Sequence, residues 1–388
     1  MSKIFTIIGV VLVVLVGGVV FFSQDSSPLK ATVGIGQMLA SDTTGYTRAT
    51  GPVPIRFPED HGAHPDFKLE WWYYTGNLMT AEGRRFGYQF TIFRNALAPP
   101  DEPEMAMQSS WRTKQLYFAH LTVSDLQEKE FYAFERHSRG AAGLAGAEAA
   151  PFRVWVEDWQ VSQVGENMPP MRIEAAEGQI AIDFSMEAVK PVVLQGESGY
   201  SIKGLGYGNA SYYYSFTRLQ TQGTLSVGNE SFTVEGFSWM DREWSTSLLS
   251  ENQVGWDWFS IQLDDGRDIM FAIVRNESPE IPSYVFGTLV DAQGMKRSLT
   301  SEEVQLEVLD TWESDKGGVY PSRWRMQITD IGLDLYIEPF MNDQELDVAV
   351  RYWEGAVQVN GNARGKEVAG SGYVELTGYD QAALMFTD

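Results

Sequence analysis

The chain has 388 residues, no cysteine, and 52 Asp and Glu against 29 Lys and Arg, for a formal charge of −23. The missing thiols exclude disulfides, thiolate nucleophiles, zinc–thiolate sites and a lipobox-type lipid anchor. The acidic balance excludes a nucleic-acid partner, whose phosphates need a basic face. The length predicts two domains, and 12 Trp, 17 Tyr and 21 Phe within a 44% apolar composition can fill both cores.

Met1, Ser2 and Lys3 precede an uncharged apolar run over residues 4–22. At about 1.5 Å per helical residue, such a run crosses a bilayer's hydrocarbon core. It ends Val19, Val20, Phe21, Phe22 with no Ala-x-Ala cleavage site. The reading is an uncleaved signal-anchor, residues 1–24, with Lys3 on the cytoplasmic side and the globular part held outside the inner membrane. The alternative is a cleaved signal and release to the periplasm. Residues 25–50, rich in Ser, Thr, Gly and Asp, read as a linker.

From Pro52 onward aromatic and β-branched runs alternate with Gly-Asn, Asp-Gly and Asn-Gly turns, and helical periodicity is nearly absent. Two stretches repeat. Trp71-Trp72-Tyr73-Tyr74, a turn and a strand closing on Arg94-Asn95 match Trp256-Asp257-Trp258-Phe259, a turn and a strand closing on Arg275-Asn276. Further on, Phe118-Ala119-His120-Leu121 aligns with Phe286-Gly287-Thr288-Leu289, and the segment beginning at Gly223 aligns with that beginning at Gly355. Gly236, Trp239 and Asp241 align with Gly370, Tyr373 and Glu375. A repeated supersecondary unit predicts an all-β chain of two antiparallel barrel or sandwich domains, residues 51–248 and 249–388. A closed barrel of about eight strands can hold one small ligand.

Two clusters carry candidate chemistry. Asp60, His61, His64 and Glu70 crowd the approach to the first aromatic strand. A His61–Asp60 pair would serve as acid or base near neutral pH, or the loop ties the strand through side-chain-to-backbone bonds. His61 and His64 have a metal-pair spacing without a readable third ligand, so neither metal nor cofactor is expected. The second cluster is Gly236-Phe237-Ser238-Trp239-Met240-Asp241-Arg242-Glu243-Trp244. On a strand Trp239, Asp241 and Glu243 share one face. Beside indole, Asp241 is favoured as the acid and suits proton donation to an alkene or enol. An Asp–Arg–Glu salt-bridge plug is the alternative. Trp71, Trp72, Tyr73, Tyr212, Tyr214, Trp244, Trp256 and Trp258 are the candidate ligand-binding aromatics, and His120 reads as a core histidine. There is no Gly-x-Ser-x-Gly elbow, Walker loop or dinucleotide fingerprint.

With these residues in view, the chain resembles the CrtC/AttH-like family, lipocalin-type proteins often labelled secreted hydrolases. The resemblance lies in FPEDHGAHPDFKLEWWYYTGNL, YFAHLTVSD, GFSWMDREWS, QVGWDWFSIQLDDGRDIMF and GYVELTGY. It implies two lipocalin-like domains and a pocket for a hydrophobic small molecule. The family includes carotenoid 1,2-hydratases, which hydrate a terminal alkene without a cofactor, fungal pericyclases, and AttH-like partners of MacB-type exporters. In the hydratases an aromatic-x-Asp pair donates the proton, and Trp239 and Asp241 match it. The strand before it carries a His and a Trp in that branch but reads Tyr212–Tyr214 here, and the short Asp-Arg-Glu-Trp-Ser run is closer to the AttH-type branch. The resemblance therefore implies a membrane-anchored, lipophile-binding protein associated with an ABC transporter permease. The alternatives are a cofactor-free hydratase, lyase or isomerase, with Asp241, Trp239, Glu243, His61 and Asp60 as its catalytic group, and a hydrolase.

Overall fold

A computed structural model describes residues 43–101, 112–250, 252–278 and 280–379. The signal-anchor expected over residues 1–24, and the linker as far as residue 42, lie outside the described residues. Among the described residues no helix is long and apolar enough to cross a membrane.

The described chain is nearly all β, in two curled antiparallel sheets that make a nearly closed barrel and a half-barrel. The first sheet opens with a meander of β1 (Leu69–Met79), β2 (Arg85–Ala96), β3 (Gln115–Asp125) and β4 (Glu130–Arg139). A second meander follows: β5 (Ala145–Ala149), β6 (Phe152–Val156), β7 (Trp159–Gln163), β8 (Met171–Glu177) and β9 (Ile180–Ala188). The short β10 (Val193–Leu194) and β11 (Tyr200–Ile202) precede the long hairpin β12 (Ala210–Val227) and β13 (Glu230–Ser247). The second sheet holds β14 (Gln253–Leu263), β15 (Asp268–Asn276), β16 (Tyr284–Val290), β17 (Lys296–Leu299), β18 (Val304–Glu313), β19 (Val319–Ile328), β20 (Leu333–Pro339), β21 (Glu345–Asp347), β22 (Arg351–Ala363) and β23 (Lys366–Thr377).

The two sheets are wound in the same way. The first strand of each half pairs with its hairpin partner on one side and with the last strand on the other: β2–β1–β13 and β15–β14–β23. The ladders also agree residue for residue. Tyr73 pairs with Asp241 and Thr91, and Trp258 pairs with Glu375 and Ala272. Gly236 and Gly370 hold equivalent places, where a Cβ would collide with the carbonyl oxygens of Asn77 and Gln262. The backbones approach too closely for any other residue there.

Two of the sequence alignments slip. By ladder position Phe286, rather than Thr288, stands where His120 stands, because Thr91 pairs with His120 and Ala272 with Phe286. Gly223 corresponds to Gly361 rather than Gly355, since Gly223 pairs with Val234 and Gly361 with Val368. A slip of two or six residues keeps the same side chains inward, so alternation alone does not reveal it.

Both interiors are packed. Trp72, Tyr74, Tyr88, Phe90, Trp159, Phe184 and Met240 fill the first. Phe259, Ile261, Trp324, Met326 and Trp353 fill the second. The outward faces of β1 and β13 lie against those of β14, β22 and β23. There Tyr73, Tyr213, Trp239, Trp258, Met270, Ala356 and Tyr373 form a separate cluster. A buried clamp locks the halves: Lys190, Thr217 and Arg218 of the first all bond the Asp268 carboxylate of the second.

Candidate functional site

Apolar space collects between the two halves rather than inside either. The cleft holds about 1020 Å³ of empty volume, its open mouth included. The choice left open between a barrel lumen and a space between the halves is answered by packing: the large side chains of both cores fill the interiors themselves. The first half lines the cleft with Leu69, Trp71 and Tyr73 of β1, Phe93, Phe118, and Tyr213, Asp241 and Glu243. The second half supplies Trp256 and Trp258 of β14, Ala272, Val274, Phe286, Glu354 and Glu375.

Alternation along β13 decides which of its residues reach this space. Asp241 and Glu243 project into it, with Trp239 buried behind them. Met240, Arg242 and Trp244 turn into the barrel. Asp241 is 3% exposed. Tyr213 donates its hydroxyl to Oδ2 at 2.6 Å, and Trp239 Nε1 donates to Oδ1 at 2.7 Å, alongside the Ser215 hydroxyl. Burial pushes the carboxyl up to about 7, against the pull of the three donors, and neighbouring Glu243 adds to the rise. Glu243 is neutralised by Lys203, 2.7 Å away, and accepts from the Ser211 hydroxyl. The Lys203 ammonium lies over the Tyr213 and Phe286 rings at 4.7 and 4.3 Å.

The opposite wall carries the equivalent acid. Glu375 occupies the ladder place of Asp241, and Glu354 faces it directly across β22–β23. Burial pushes Glu375 up to about 8, with Asp241 and Glu243 adding repulsion and the Trp256 side chain bonding to it in compensation. Burial, together with Glu375, holds Glu354 well above the usual carboxylate range. Tyr73 donates across the cleft to Glu354 Oε2 at 2.9 Å. Trp258 stands edge-on to Tyr73 and Trp239 at centroid distances of 5.1 and 6.2 Å.

The candidates therefore divide. Trp71, Tyr73, Trp256, Trp258, Asp241 and Glu243 line one space, with Trp239 bonded to Asp241. Trp72, Tyr212, Tyr214 and Trp244 face the first barrel's interior. His61 and Asp60 lie there too, without the pair read from the sequence. His61 Nδ1 meets the Tyr214 hydroxyl at 2.7 Å, while Asp60 meets His64 Nε2 at 3.0 Å. Burial, with the Arg242 charge nearby, lowers His61 to about 4. Around them Glu70 is ion-paired to both Arg94 and Arg242. The Arg242 guanidinium lies 3.9 Å from the Trp72 ring centroid, and His64 stacks on Trp244 at 4.0 Å. This is the loop-tying alternative, reinforced by buried charge.

Sequence reasoning missed Tyr213, Lys203, Glu354 and Glu375 as site residues. For Tyr213 the cause is a β-bulge. Counted from the Val227–Glu230 hairpin end, Tyr214 falls opposite Glu243, but a register shift between Phe216 and Leu219 brings Tyr213 there instead. Glu375 was within reach, since the repeat already aligned it with Asp241. Among the described residues no group of three or more His, Asp or Glu side chains is arranged to hold a metal.

Residues 48–379 match the family model described as AttH-like. The chain belongs to the AttH-like family. A crystal structure of an AttH from Nitrosomonas europaea is 34% identical, with a TM-score of 0.75, covering 86% of this chain and 99% of that one. Kievitone hydratase of Fusarium solani subsp. phaseoli is 23% identical over 231 residues, which span 55% of this chain and 62% of that relative. The crystal structure of kievitone hydratase from Nectria haematococca, 17% identical with a TM-score of 0.67, covers 87% of this chain and 98% of that one and shows the same fold. The kievitone hydratase structure and this chain thus share a fold.

Proposed function

We propose that this AttH-like chain is a cofactor-free hydratase that adds water to a carbon–carbon double bond of an uncharged lipophile held between its two halves. One observation carries the reading: Asp241, a carboxyl buried against Trp239 and held by three donors, projects into an aromatic cleft, where burial raises it and favours the acid form. Asp241 gives its proton to one alkene carbon. The rings of Trp258 and Tyr73 face the cation that forms on the other carbon. Water attacks that carbon, and its surplus proton leaves to a carboxylate. The cleft favours an uncharged substrate, because both of its cations are already committed. Lys203 is on Glu243, and Arg94 is on Glu70 and two backbone carbonyls. A fatty acid or lipid phosphate would meet Asp241, Glu243, Glu354 and Glu375 with no uncommitted cation among the described lining residues to offset its charge.

The test uses farnesol, a neutral isoprenoid alcohol, with hydration followed by mass spectrometry. Asp241→Asn is expected to lower turnover by about 10²–10⁴-fold with folding intact. Unchanged turnover in that variant removes Asp241 from the chemistry.

A second reading rests on the apolar walls: the cleft carries a lipophile without changing it, for an ABC export system. In both readings residues 4–22 anchor the chain to the inner membrane and the β halves lie outside the cytoplasm. Native mass spectrometry of the membrane-purified chain separates the two readings. An unmodified bound lipophile with a co-purifying permease favours carriage, and its hydrated product favours catalysis.

A further inference from the structure

We infer that Glu354 and Glu375 form a second proton-handling centre that accepts the proton of the adding water, on the wall opposite Asp241. The inference rests on the hydratase reading above. Three independent features place it there. By duplication, Glu375 occupies the ladder position of Asp241, so the two acids meet the cleft from equivalent strands. Glu354 lies directly across from Glu375, and like carboxyls at that spacing do not both ionise, so the pair keeps at least one proton at neutral pH. Finally, Glu354 is fully buried and lines the cleft. Its Oε2 accepts from Tyr73, but its Oε1 has no partner. A buried carboxyl oxygen costs free energy when unpaired among the described residues, and Glu375 beside it is the half-buried member of the pair that meets the cleft and its water.

The step balances. Asp241 loses its proton as the new C–H bond forms and the alkene π pair is consumed. The water oxygen forms the C–O bond, and the resulting oxonium, a strong acid, loses one proton to the Glu354–Glu375 pair in the fraction of molecules in which one member is ionised. Alkene plus water becomes alcohol, and proton return from the pair to Asp241 resets the site. Tyr73 is a positioning residue: its bond to Glu354 Oε2 fixes that carboxyl beside Glu375, which meets the cleft.

The experiment compares wild type, Glu375→Gln, Glu354→Gln and Asp241→Asn of the full chain, with farnesol in deuterium oxide. Hydration and deuterium exchange into the alkene are read separately. In both Glu variants hydration is expected to fall about 10²-fold while exchange, which needs only Asp241, persists. In Asp241→Asn both are lost. Full hydration in Glu375→Gln and Glu354→Gln overturns the inference and leaves Asp241 standing. Wild type that neither exchanges nor hydrates overturns the hydratase reading and this inference with it. A second readout needs no turnover: isotope-labelled carboxyl NMR. Removing either glutamate is expected to lower the partner's titration midpoint by more than about one unit. An unmoved midpoint means the two are uncoupled and the shared-proton centre does not exist.

Discussion

The two copies of the repeat meet the cleft with an acid at the same ladder position, yet they surround it differently. Asp241 sits among three donors, from Trp239, Tyr213 and Ser215. Glu375 sits opposite another glutamate. Donors stabilise the carboxylate and hold Asp241 near 7, where it can both keep and release a proton. Burial holds Glu354 and Glu375 higher, with Glu375 adding repulsion at Glu354, and Asp241 and Glu243 adding it at Glu375. Duplication supplied one scaffold position twice, and the neighbouring side chain decides what each acid does.

The largest expected effect tests the donor side. Asp241→Asn should remove turnover by about 10²–10⁴-fold while leaving lipophile binding, read by tryptophan quenching, intact. Wild-type turnover should also fall as pH rises through about 7, because only protonated Asp241 donates. A flat profile across that range would deny it the role of acid.

The next effect lies in the buried ion pairs that run from Glu70 and Arg94 at the cleft wall to Arg242 inside the barrel. Glu70→Ala leaves Arg94 and Arg242 buried without their shared partner, and should cost about 3–5 kcal/mol in denaturant unfolding. A cost below about 1 kcal/mol would mean that water reaches the cluster.

Stability against pH sharpens the contrast. His61 and His120 are lowered to about 4 and about 3, so they add stability as pH rises to about 6.5, the value of the unfolded chain, and nothing beyond it. Glu375 is raised. The folded state therefore holds its proton after the unfolded chain has lost it, and stability declines as pH climbs toward about 8. Above about pH 6.5 the decline belongs to the acids alone, and Glu375→Gln should flatten it. An equal slope in both proteins would remove the raised glutamate.

The smallest effects separate the Asp241 donors from the barrel histidine. Tyr213→Phe removes a bond that favours the carboxylate, so the alkaline limb of the activity profile should move upward by up to about one unit. His61→Gln should leave turnover within about threefold, because His61 bonds Tyr214 on the far side of β13. A loss comparable to that of Asp241→Asn would place the chemistry inside the barrel.

The sequence discloses some of this and conceals the rest for identifiable reasons. Duplication was legible because Trp71-Trp72 and Trp256-Asp257-Trp258 open equivalent strands, and the ladders keep that alignment. The face shared by Trp239, Asp241 and Glu243 follows from alternation. Which side of the sheet faces a ligand was not legible. Trp71 and Trp72 are equally aromatic, and both faces of β1 are covered, one by barrel core and one by the second half. Tyr213 takes the cleft face and Tyr212 and Tyr214 the barrel core because a single bulge reverses the parity set at the hairpin. The Asp60–His64 pairing, in place of Asp60–His61, turns on one loop's backbone path, which spacing does not set.

The most direct test of the central claim is a crystal structure of the chain with a brominated neutral lipophile. The bromine's anomalous signal should appear between the halves, among Trp71, Trp258, Asp241 and Glu375. A signal inside the first barrel, among Trp72, Tyr214 and Trp244, would contradict the account.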